Sequence, residues 1–433
     1  MRSSSFAGSS RTIDAQRLII SSHLSRPLID CKLWDGRRNP NIRKLCLTGV
    51  FGLHGFQQAA PLFVDRDLSI SIAELLRYDD RVWQRVEIEH TDGELDLIVA
   101  VAMSTNRIRE IWFSEFDFQA SSSTSHALAT GLKYNRSVTE LRIRRSRMNG
   151  GTPVAINVIG IGLEGNPSIE SISLEQCNLL DAEIAKFVKS LRNCPSLSKF
   201  SVEGNSCRDL SIHELNLLLR EIPVQNLSLH NQRLEHSERL DISPIANCLR
   251  GNNCRLRYLD LSRNQLGDDD VSLIMDGLLD GNHSLVTLHL DQNLISNEGA
   301  RIIAEALPNL SSSLKTLALP ENQHISKLGA TMLLDSIRNQ FYIHTLILPS
   351  GLAHIQRKIR WYANMNRGGR RLFSTPREVA VALYPLIIEH VNNIPASHSW
   401  NPEIAAPETI YGFLRFGPIL FERESDDNAN GEQ

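Results

Sequence analysis

Residues 256–264 read LRYLDLSRN, residues 285–293 read LVTLHLDQN and residues 314–322 read LKTLALPEN. All of these segments have the form L-x-x-L-x-L-x-x-N. Weaker copies keep the apolar residues of the fourth and sixth positions, and their fourth positions are Val86, Ile111, Leu141, Ile172, Phe200, Leu227 and Leu346. The fourth positions of all copies, from Val86 to Leu346, span 260 residues in nine intervals, which gives a mean period of about 29 residues. A period of this length identifies a repeat protein.

The segment that follows each motif has the periodicity of a helix. Residues 181–191, 297–307 and 328–337 carry apolar side chains at i, i+3, i+4 and i+7. In the strand before each helix, residues two apart point to the same side, so the fourth and sixth motif positions face the core. Helices are wider than the ~4.8 Å between paired strands, so the stack has to curve with its strands inside.

These two periods predict an α/β fold of the leucine-rich-repeat horseshoe type. We expect a right-handed α/β solenoid with parallel strands on the concave side and helices on the convex side. About ten repeats should lie within residues 82–350.

Asparagine recurs at the last position of the motif. A buried amide there can bond to the backbone groups left open where the strand turns away, so we expect a structural role. Phe116, Ser146 and Cys177 replace it in earlier copies, where the register is less well defined. The predicted ladder consists of Asn205, Asn264, Asn293 and Asn322.

The sequence outside the repeats predicts four further segments. Residues 1–40, rich in Ser and Arg at their start, should be a flexible N-terminal segment. Residues 41–81, with Leu45, Leu47 and a helical pattern over 68–78, predict an N-terminal cap or degenerate repeat. Residues 351–422 contain helical and strongly apolar stretches and predict a C-terminal helical cap, and residues 423–433 a disordered acidic tail.

The repeat resembles that of a known family. The core L-x-x-L-x-L-x-x-N-x-[LI], with G-A-x-x-I-A-x-A-L on the following helix, is similar to ribonuclease-inhibitor-like leucine-rich-repeat proteins. NLR immune receptors and Ran GTPase-activating proteins carry repeats of the same class. Residues 361–370 (WYANMNRGGR) and the downstream L-Y-P-x-I-x-E resemble a C-terminal extension of ribonuclease-inhibitor-like proteins from unicellular algae. This resemblance implies an architecture and no particular reaction.

Charge and cysteine content limit the expected partners and compartment. The formal net charge is −3, so no overall cationic field attracts nucleic acid or anionic lipid, and we expect neither a nucleic-acid nor a membrane partner. The seven cysteines are scattered without a C-x-x-C pair, which suits reduced thiols. We expect a cytoplasmic protein, with a nuclear location or an N-terminal transit peptide as alternatives.

The motifs of common enzymes are absent from the sequence. It contains no P-loop, H-E-x-x-H, G-x-S-x-G, or G-x-G-x-x-G after a predicted strand. Cys248 and Cys254, with His283 downstream, fit no standard metal-ligand spacing, and we interpret them as buried or turn cysteines. We therefore predict a protein that is not an enzyme, with no catalytic residue, cofactor, metal or small-molecule substrate.

The outward positions of the strands form the candidate binding surface. A mixed-charge face with an aromatic residue is typical of protein-binding surfaces, although an exposed sheet carries polar residues in any case. The arginines from 142 to 147 could instead bind an anion or form a solvated face. The predicted partner-binding residues are Trp112, Arg142, Arg144, Arg145, Glu175, Glu203, His230, Asp260, Arg263, His289, Asp291, Gln292 and Glu321.

We predict a non-enzymatic scaffold or recognition module that binds a protein partner through its concave strands. Two alternatives come only from the shared repeat class. One is a GTPase-activating protein like those that act on Ran. The other is a component of substrate recognition or of an immune-type sensor. Fold alone does not decide among these functions.

Overall fold

The structure, a computed structural model, describes residues 17–21, 44–48, 62–78, 83–148, 154–207, 209–222, 224–232, 240–251 and 254–367. The chain forms two compact units, residues 1–224 and residues 225–433. Strands and helices alternate along the chain in both units.

The first unit contains a parallel sheet whose strands follow one another in chain order. These strands are β1 (Arg17–Ser21), β2 (Lys44–Thr48), β4 (Arg85–Glu89), β6 (Glu110–Ser114), β7 (Glu140–Arg144), β8 (Ser171–Glu175) and β9 (Lys199–Glu203). A separate parallel pair consists of β3 (Leu62–Val64) and β5 (Thr91–Gly93). The helices are α1 (Arg66–Tyr78), α2 (Asp96–Ser104), α3 (Ser122–Tyr134), α4 (Ala155–Leu163), α5 (Asp181–Leu191) and α6 (Asp209–Glu221).

The register of this sheet stacks the apolar residues of successive repeats into two rows. The first row contains the predicted strand centres, Val86, Ile111, Leu141, Ile172 and Phe200, each paired with the next. The second row lies two residues further along each strand and consists of Ile88, Phe113, Ile143, Leu174 and Val202, all buried. Burying a side chain of this size stabilises the fold by roughly 1.5–3 kcal/mol, so the two rows are the main apolar core of the unit.

The second unit repeats the same arrangement with shorter strands. Its parallel strands are β10 (Asn226–Ser228), β11 (Tyr258–Asp260), β12 (Thr287–His289), β13 (Thr316–Ala318) and β14 (Thr345–Ile347). Its helices are α7 (Ser243–Arg250), α8 (Asp268–Leu279), α9 (Asn297–Ala306), α10 (Lys327–Asn339) and α11 (Ala353–Arg367), with a 3-10 turn at Leu307–Asn309.

A leucine ladder runs through the centre of these strands. Leu259 pairs with Leu288, and Leu288 with Leu317, on adjoining parallel strands, and all of them are buried. Leu227 and Leu346 extend the ladder at its two ends. The fold class predicted from the sequence, a leucine-rich-repeat α/β solenoid, is confirmed by this register and by the alternation of strand and helix.

Buried asparagines bond to the backbone where the chain leaves each strand. The side-chain oxygen of Asn293 accepts hydrogen bonds from the N–H groups of Asn264 (2.9 Å) and Leu266 (3.1 Å). Its Nδ2 donates to the carbonyls of Leu261 (3.1 Å) and Leu290 (3.0 Å). Asn205, Asn264 and Asn322 bond in the same manner. Each amide therefore joins two consecutive repeats.

A second set of buried asparagines lies where helices end and was not predicted. The side-chain oxygen of Asn282 accepts from the N–H groups of Ser284 (3.2 Å) and Leu285 (3.0 Å), and its Nδ2 donates to the carbonyl of Leu249 (3.1 Å). Asn135 and Asn166 make corresponding bonds one repeat apart. The sequence pattern that marks these asparagines is N-x-S followed by an apolar residue, and it occurs at all of these positions.

The ends of the described chain differ in part from the expectations. β1 lies within residues 1–40, where the sequence predicted a flexible segment, and pairs with β2 over five residues. β2 includes Leu45 and Leu47, the apolar pair of the predicted cap. α11 covers the start of the predicted C-terminal cap. The rest of that cap, most of the algal-type extension and the acidic tail lie outside the described residues.

Candidate protein-binding site

We call the side of the first unit's sheet that carries the outward-pointing strand residues its strand face. Because side chains alternate along a strand, the residue between the two buried apolar positions points away from the core. The register aligns these residues in one row across neighbouring strands: Glu87, Trp112, Arg142, Ser173 and Ser201. Trp112 therefore lies between two charged side chains on this face.

Two arginines flank the ring of Trp112. The guanidinium carbon of Arg85 lies 3.4 Å from the ring centroid, and that of Arg142 lies 5.1 Å from it. Arg85 Nε donates to Glu110 Oε2 at 2.5 Å, which holds the first guanidinium over the ring. Cation–π contacts of this kind contribute roughly 0.5–2 kcal/mol each, depending on desolvation. We call Arg85, Glu110, Trp112, Arg142 and Glu175 the arginine–tryptophan cluster.

Glu175 anchors the other side of the cluster. It is only 8% exposed, and its carboxylate lies 2.6 Å from Arg142 Nη2 and 3.6 Å from Arg144 Nε. The hydroxyl of Ser173 also donates to it at 2.8 Å. A buried carboxylate needs such partners, because removing one leaves an uncompensated charge at a cost of several kcal/mol. Glu175 therefore holds Arg142 in place, and its role as a direct partner contact stays a prediction.

The remaining arginines of residues 142–147, for which the sequence left an anion site and a solvated face open, are paired as well. Arg145 Nη1 lies 3.6 Å from a Glu115 oxygen, and Arg147 Nη1 lies 3.5 Å from an Asp117 oxygen. Each of the four arginines between residues 142 and 147 therefore has a carboxylate within 3.6 Å. These acids neutralise much of the positive charge that an anion would require.

Six of the predicted binding residues lie beyond the ends of the strands: Arg145, His230, Arg263, Asp291, Gln292 and Glu321. Arg145, Arg263, Gln292 and Glu321 directly precede the last motif position and have φ between 48° and 60°. This left-handed conformation turns the chain out of the strand and recurs at the same place in the other repeats. Their side chains are exposed at the rim of the strand face, where Arg263 Nε donates to Gln292 Oε1.

The strand face of the second unit carries a different cluster. His230 Nδ1 lies 3.9 Å from Asp260 Oδ1, and His289 Nδ1 lies 3.8 Å from Asp291 Oδ2. The hydroxyl of Tyr258 donates to Asp260 Oδ2 at 3.4 Å, and its ring centroid lies 5.4 Å from that of His289. We call these five residues the tyrosine–aspartate cluster.

The charge states of this cluster follow from its contacts. Burial raises the pKa of Asp260, but hydrogen bonds from His230 and Ser262 outweigh it, so the pKa lies below its ordinary value. Interaction with the Asp291 carboxylate raises the pKa of His289 against the opposing effect of burial. Burial, aided by the charge of Asp260, raises the pKa of Tyr258, which stays a hydrogen-bond donor at neutral pH. The cluster combines fixed carboxylates with an aromatic donor.

Sequence reasoning missed the partners that organise both clusters. Arg85, Glu110 and Tyr258 occupy the outward position just before the central apolar residue of their strands, and the prediction used only the positions after it. Extending the alternation by two residues would have found them. Glu203, by contrast, is a predicted residue at the end of β9, beside Glu175 in the register.

One group of potential metal ligands occurs among the described residues. One ligand atom each from Cys46, Glu87 and Glu89 lies within 4.8 Å of the others. Acidic groups of this kind are common on strand faces, and nothing else in the structure indicates an ion there. We assign the group no metal.

Comparison with known families adds to this geometry. A family model described as leucine-rich repeat matches residues 252–275 and 281–304. The two matched segments start 29 residues apart, since 281 minus 252 is 29, and each contains one strand of the leucine ladder and most of the next helix. The chain therefore contains leucine-rich repeats.

The leucine-rich-repeat protein is also similar to a curated relative. It is 26% identical to ribonuclease inhibitor of the pig, Sus scrofa, over 156 residues, which are 35% of this chain and 33% of that protein. The match therefore spans a third of the relative's length. It supports repeats of the ribonuclease-inhibitor-like kind, as the sequence predicted.

Two solved structures show a distant likeness. Actin-binding site 2 of leiomodin-1 is 13% identical with a TM-score of 0.26, covering 48% of this chain and 86% of that one. The C-terminal domain of tropomodulin from Caenorhabditis elegans is 9% identical with a TM-score of 0.25, covering 48% of this chain and 90% of that one.

Among the described residues of the leucine-rich-repeat protein, no helix has the length and apolar character that crossing a bilayer requires.

Proposed function

We propose that this leucine-rich-repeat protein is a non-enzymatic recognition module that binds a protein partner through the strand faces of its repeats. Ribonuclease-inhibitor-like repeats generally form interaction modules without catalysis. The observation that carries the proposal is the ring of Trp112 held between Arg85 and Arg142 on the strand face.

The arginine–tryptophan cluster has the properties of an interface anchor. Tryptophan and arginine dominate measured binding energies at protein interfaces, because they combine apolar area with directed polar groups. The bonds to Glu110 and Glu175 order both arginines before a partner arrives, which reduces the entropy lost on binding. The indole N–H of Trp112 is buried and meets no acceptor among the described residues. A partner that shifts the arginines slightly could provide one.

The tyrosine–aspartate cluster supports the same proposal in the second unit. Asp260 and Asp291 are half-buried carboxylates, and one oxygen of Asp291 is buried without a hydrogen-bond partner among the described residues. A half-buried carboxylate gains from an incoming Lys or Arg side chain more than an exposed one, because less water competes for it. We therefore expect a partner segment that presents basic side chains to this cluster.

Affinity capture from extract of the source cells tests the proposal. The baits are the purified wild-type chain, Trp112→Ala and Tyr134→Ala. Tyr134 is a matched control: it is an aromatic side chain of the same unit, 69% exposed at the end of α3, with Lys133 Nζ 5.9 Å from its ring. Quantitative mass spectrometry of the captured proteins, with a thermal melt of each bait, gives the readout.

We expect at least one protein whose capture falls about tenfold or more with Trp112→Ala, a loss of at least ~1.4 kcal/mol. The same protein should be captured equally by Tyr134→Ala and wild type, with unchanged melting temperatures for all baits. If every captured protein responds equally to both substitutions, the strand face of the first unit is not the binding surface.

A further inference from the structure

Two cysteines meet where α7 ends and the chain approaches β11. Cys248 lies in the last turn of α7, and the Gly251 N–H donates to its carbonyl at 3.0 Å. The N–H of Cys254 in turn donates to the Gly251 carbonyl at 3.0 Å. As a result, the Sγ atoms of Cys248 and Cys254 lie 3.7 Å apart, with the Cys248 thiol as donor.

The two cysteines differ in exposure. Cys248 is 6% exposed, whereas Cys254 is half-buried. A peroxide molecule can therefore reach Cys254 first. The buried thiol of Cys248 is placed to react with whatever forms on its neighbour.

The surroundings of Cys254 favour its thiolate. The hydrogen bond from the Cys248 thiol lowers the pKa of Cys254, against the effect of burial, and the Leu256 N–H and the side chains of Ser284 and Asn282 add to it. The pKa values of two other buried cysteines shift in the opposite direction. Burial raises the pKa of Cys194 to about 11 and that of Cys207 to about 12.

We propose that Cys248 and Cys254 form a peroxide-responsive dithiol that closes reversibly into a disulfide. A disulfide needs an S–S distance of ~2.05 Å, so the two sulfurs have to approach each other by about 1.7 Å. Cys248 lies in the last turn of α7 and Cys254 precedes β11, so neither residue is part of the leucine ladder.

The reaction has two steps. In the first, the Cys254 thiolate attacks hydrogen peroxide, an S–O bond forms, the O–O bond breaks, and the released hydroxide is protonated to water. In the second, the Cys248 sulfur attacks the sulfenic acid of Cys254, the S–S bond forms, and the S–O oxygen leaves as water with the Cys248 proton. Two thiols lose two electrons and two protons, and one peroxide is reduced to two waters.

Treatment of the full-length chain with hydrogen peroxide tests the proposal. Free thiols are alkylated with iodoacetamide, disulfides are then reduced, and newly released thiols are labelled with N-ethylmaleimide for peptide mapping. We expect the second label at Cys248 and Cys254 together, before any change at Cys194, and full reversal by dithiothreitol. Stable sulfinic acid at Cys254, or oxidation of Cys194 at the same peroxide concentration, would overturn the proposal.

Two variants of Cys248 separate its roles as donor and as resolving thiol. Cys248→Ala removes both, so alkylation of Cys254 by iodoacetamide at slightly acidic pH should slow several-fold. Cys248→Ser retains a hydrogen-bond donor, so it should keep most of that rate. In both variants the sulfenic acid of Cys254 should persist and react with dimedone.

Cys194→Ser is the matched control, because Cys194 belongs to the first unit and its thiol donates to the Leu163 carbonyl at 3.1 Å. It should form the Cys248–Cys254 disulfide as the wild type does. Equal alkylation rates in wild type and Cys248→Ala, or no dimedone adduct in either Cys248 variant, would contradict the mechanism.

Discussion

At the residue scale, the motif leucines and asparagines have different tasks. Each ladder leucine packs between the equivalent leucines of the two neighbouring repeats, so it contributes mainly apolar contact. The asparagines bond to backbone groups of two repeats and keep those groups from being buried without partners. A substitution of either type should therefore be felt beyond its own repeat.

Leu288→Ala should lower the free energy of unfolding by about 2–5 kcal/mol, because it opens a cavity between Leu259 and Leu317. Leu294→Ala in the same repeat is the control, since Leu294 is 50% exposed, and it should cost less than about 1 kcal/mol. Chemical denaturation of the purified chains measures both. Similar losses of unfolding free energy in the two variants would mean that the ladder position does not contribute more to stability than an exposed leucine.

His344 gives the second unit a stability that depends on pH. Burial, with the charges of Lys315 and Arg367, lowers the pKa of His344 from 6.5 to about 4. Between those values the unfolded chain binds a proton that the folded chain does not, so this residue's contribution to stability is complete above pH 6.5 and is lost as the pH falls toward 4. His344→Gln should therefore lose less stability than wild type between pH ~7.5 and ~5. Unfolding free energies at the two pH values test this, and equal losses would exclude the effect.

At the element scale, successive helices lie close because small residues face each other. A Cβ on Gly162 of α4 would lie 2.3 Å from the carbonyl oxygen of Ala129 in α3, a contact that requires a backbone to move. Residues 160–165 (GIGLEG) match the pattern G-x-G-x-x-G, yet they lie on and just after a helix. The first two of these glycines therefore serve helix packing.

Gly162→Ala should destabilise the protein by roughly 1–3 kcal/mol through this contact. In an open helix the same change would stabilise by about 1 kcal/mol, so the sign of the effect distinguishes the two situations. The control is Ile161→Ala. Ile161 directly precedes Gly162 and is 68% exposed, so this substitution should change stability by less than about 0.5 kcal/mol. A denaturation midpoint above that of wild type for Gly162→Ala would show that the helices can move apart freely.

Helix positions could be predicted well where the apolar period is regular. The sequence predicted helices over residues 181–191 and 297–307, and α5 and α9 lie there. The ends of strands were harder to place. Arg263 and Gln292 were assigned to the strand face because the motif does not show that the chain leaves the strand, in a left-handed conformation, at these residues.

At the scale of the whole molecule, the repeat period was enough to predict the fold class but not the chemistry of the binding surface. Alternation placed Trp112 and Arg142 on one face. Their arrangement depends on Arg85 and Glu175, which come from neighbouring strands and contact them through particular side-chain conformations. A single sequence shows which residues share a face, but not which guanidinium stacks on a ring or which carboxylate neutralises an arginine.

The asparagines at the helix ends bear on glycosylation. Asn135-Arg136-Ser137 and Asn282-His283-Ser284 match the acceptor triplet N-x-S, yet both amides are buried and bonded to backbone groups of the preceding repeat. Oligosaccharyltransferase would have to act before the repeats close around these side chains. A glycan found at either position would therefore mark a chain that had not reached its native fold.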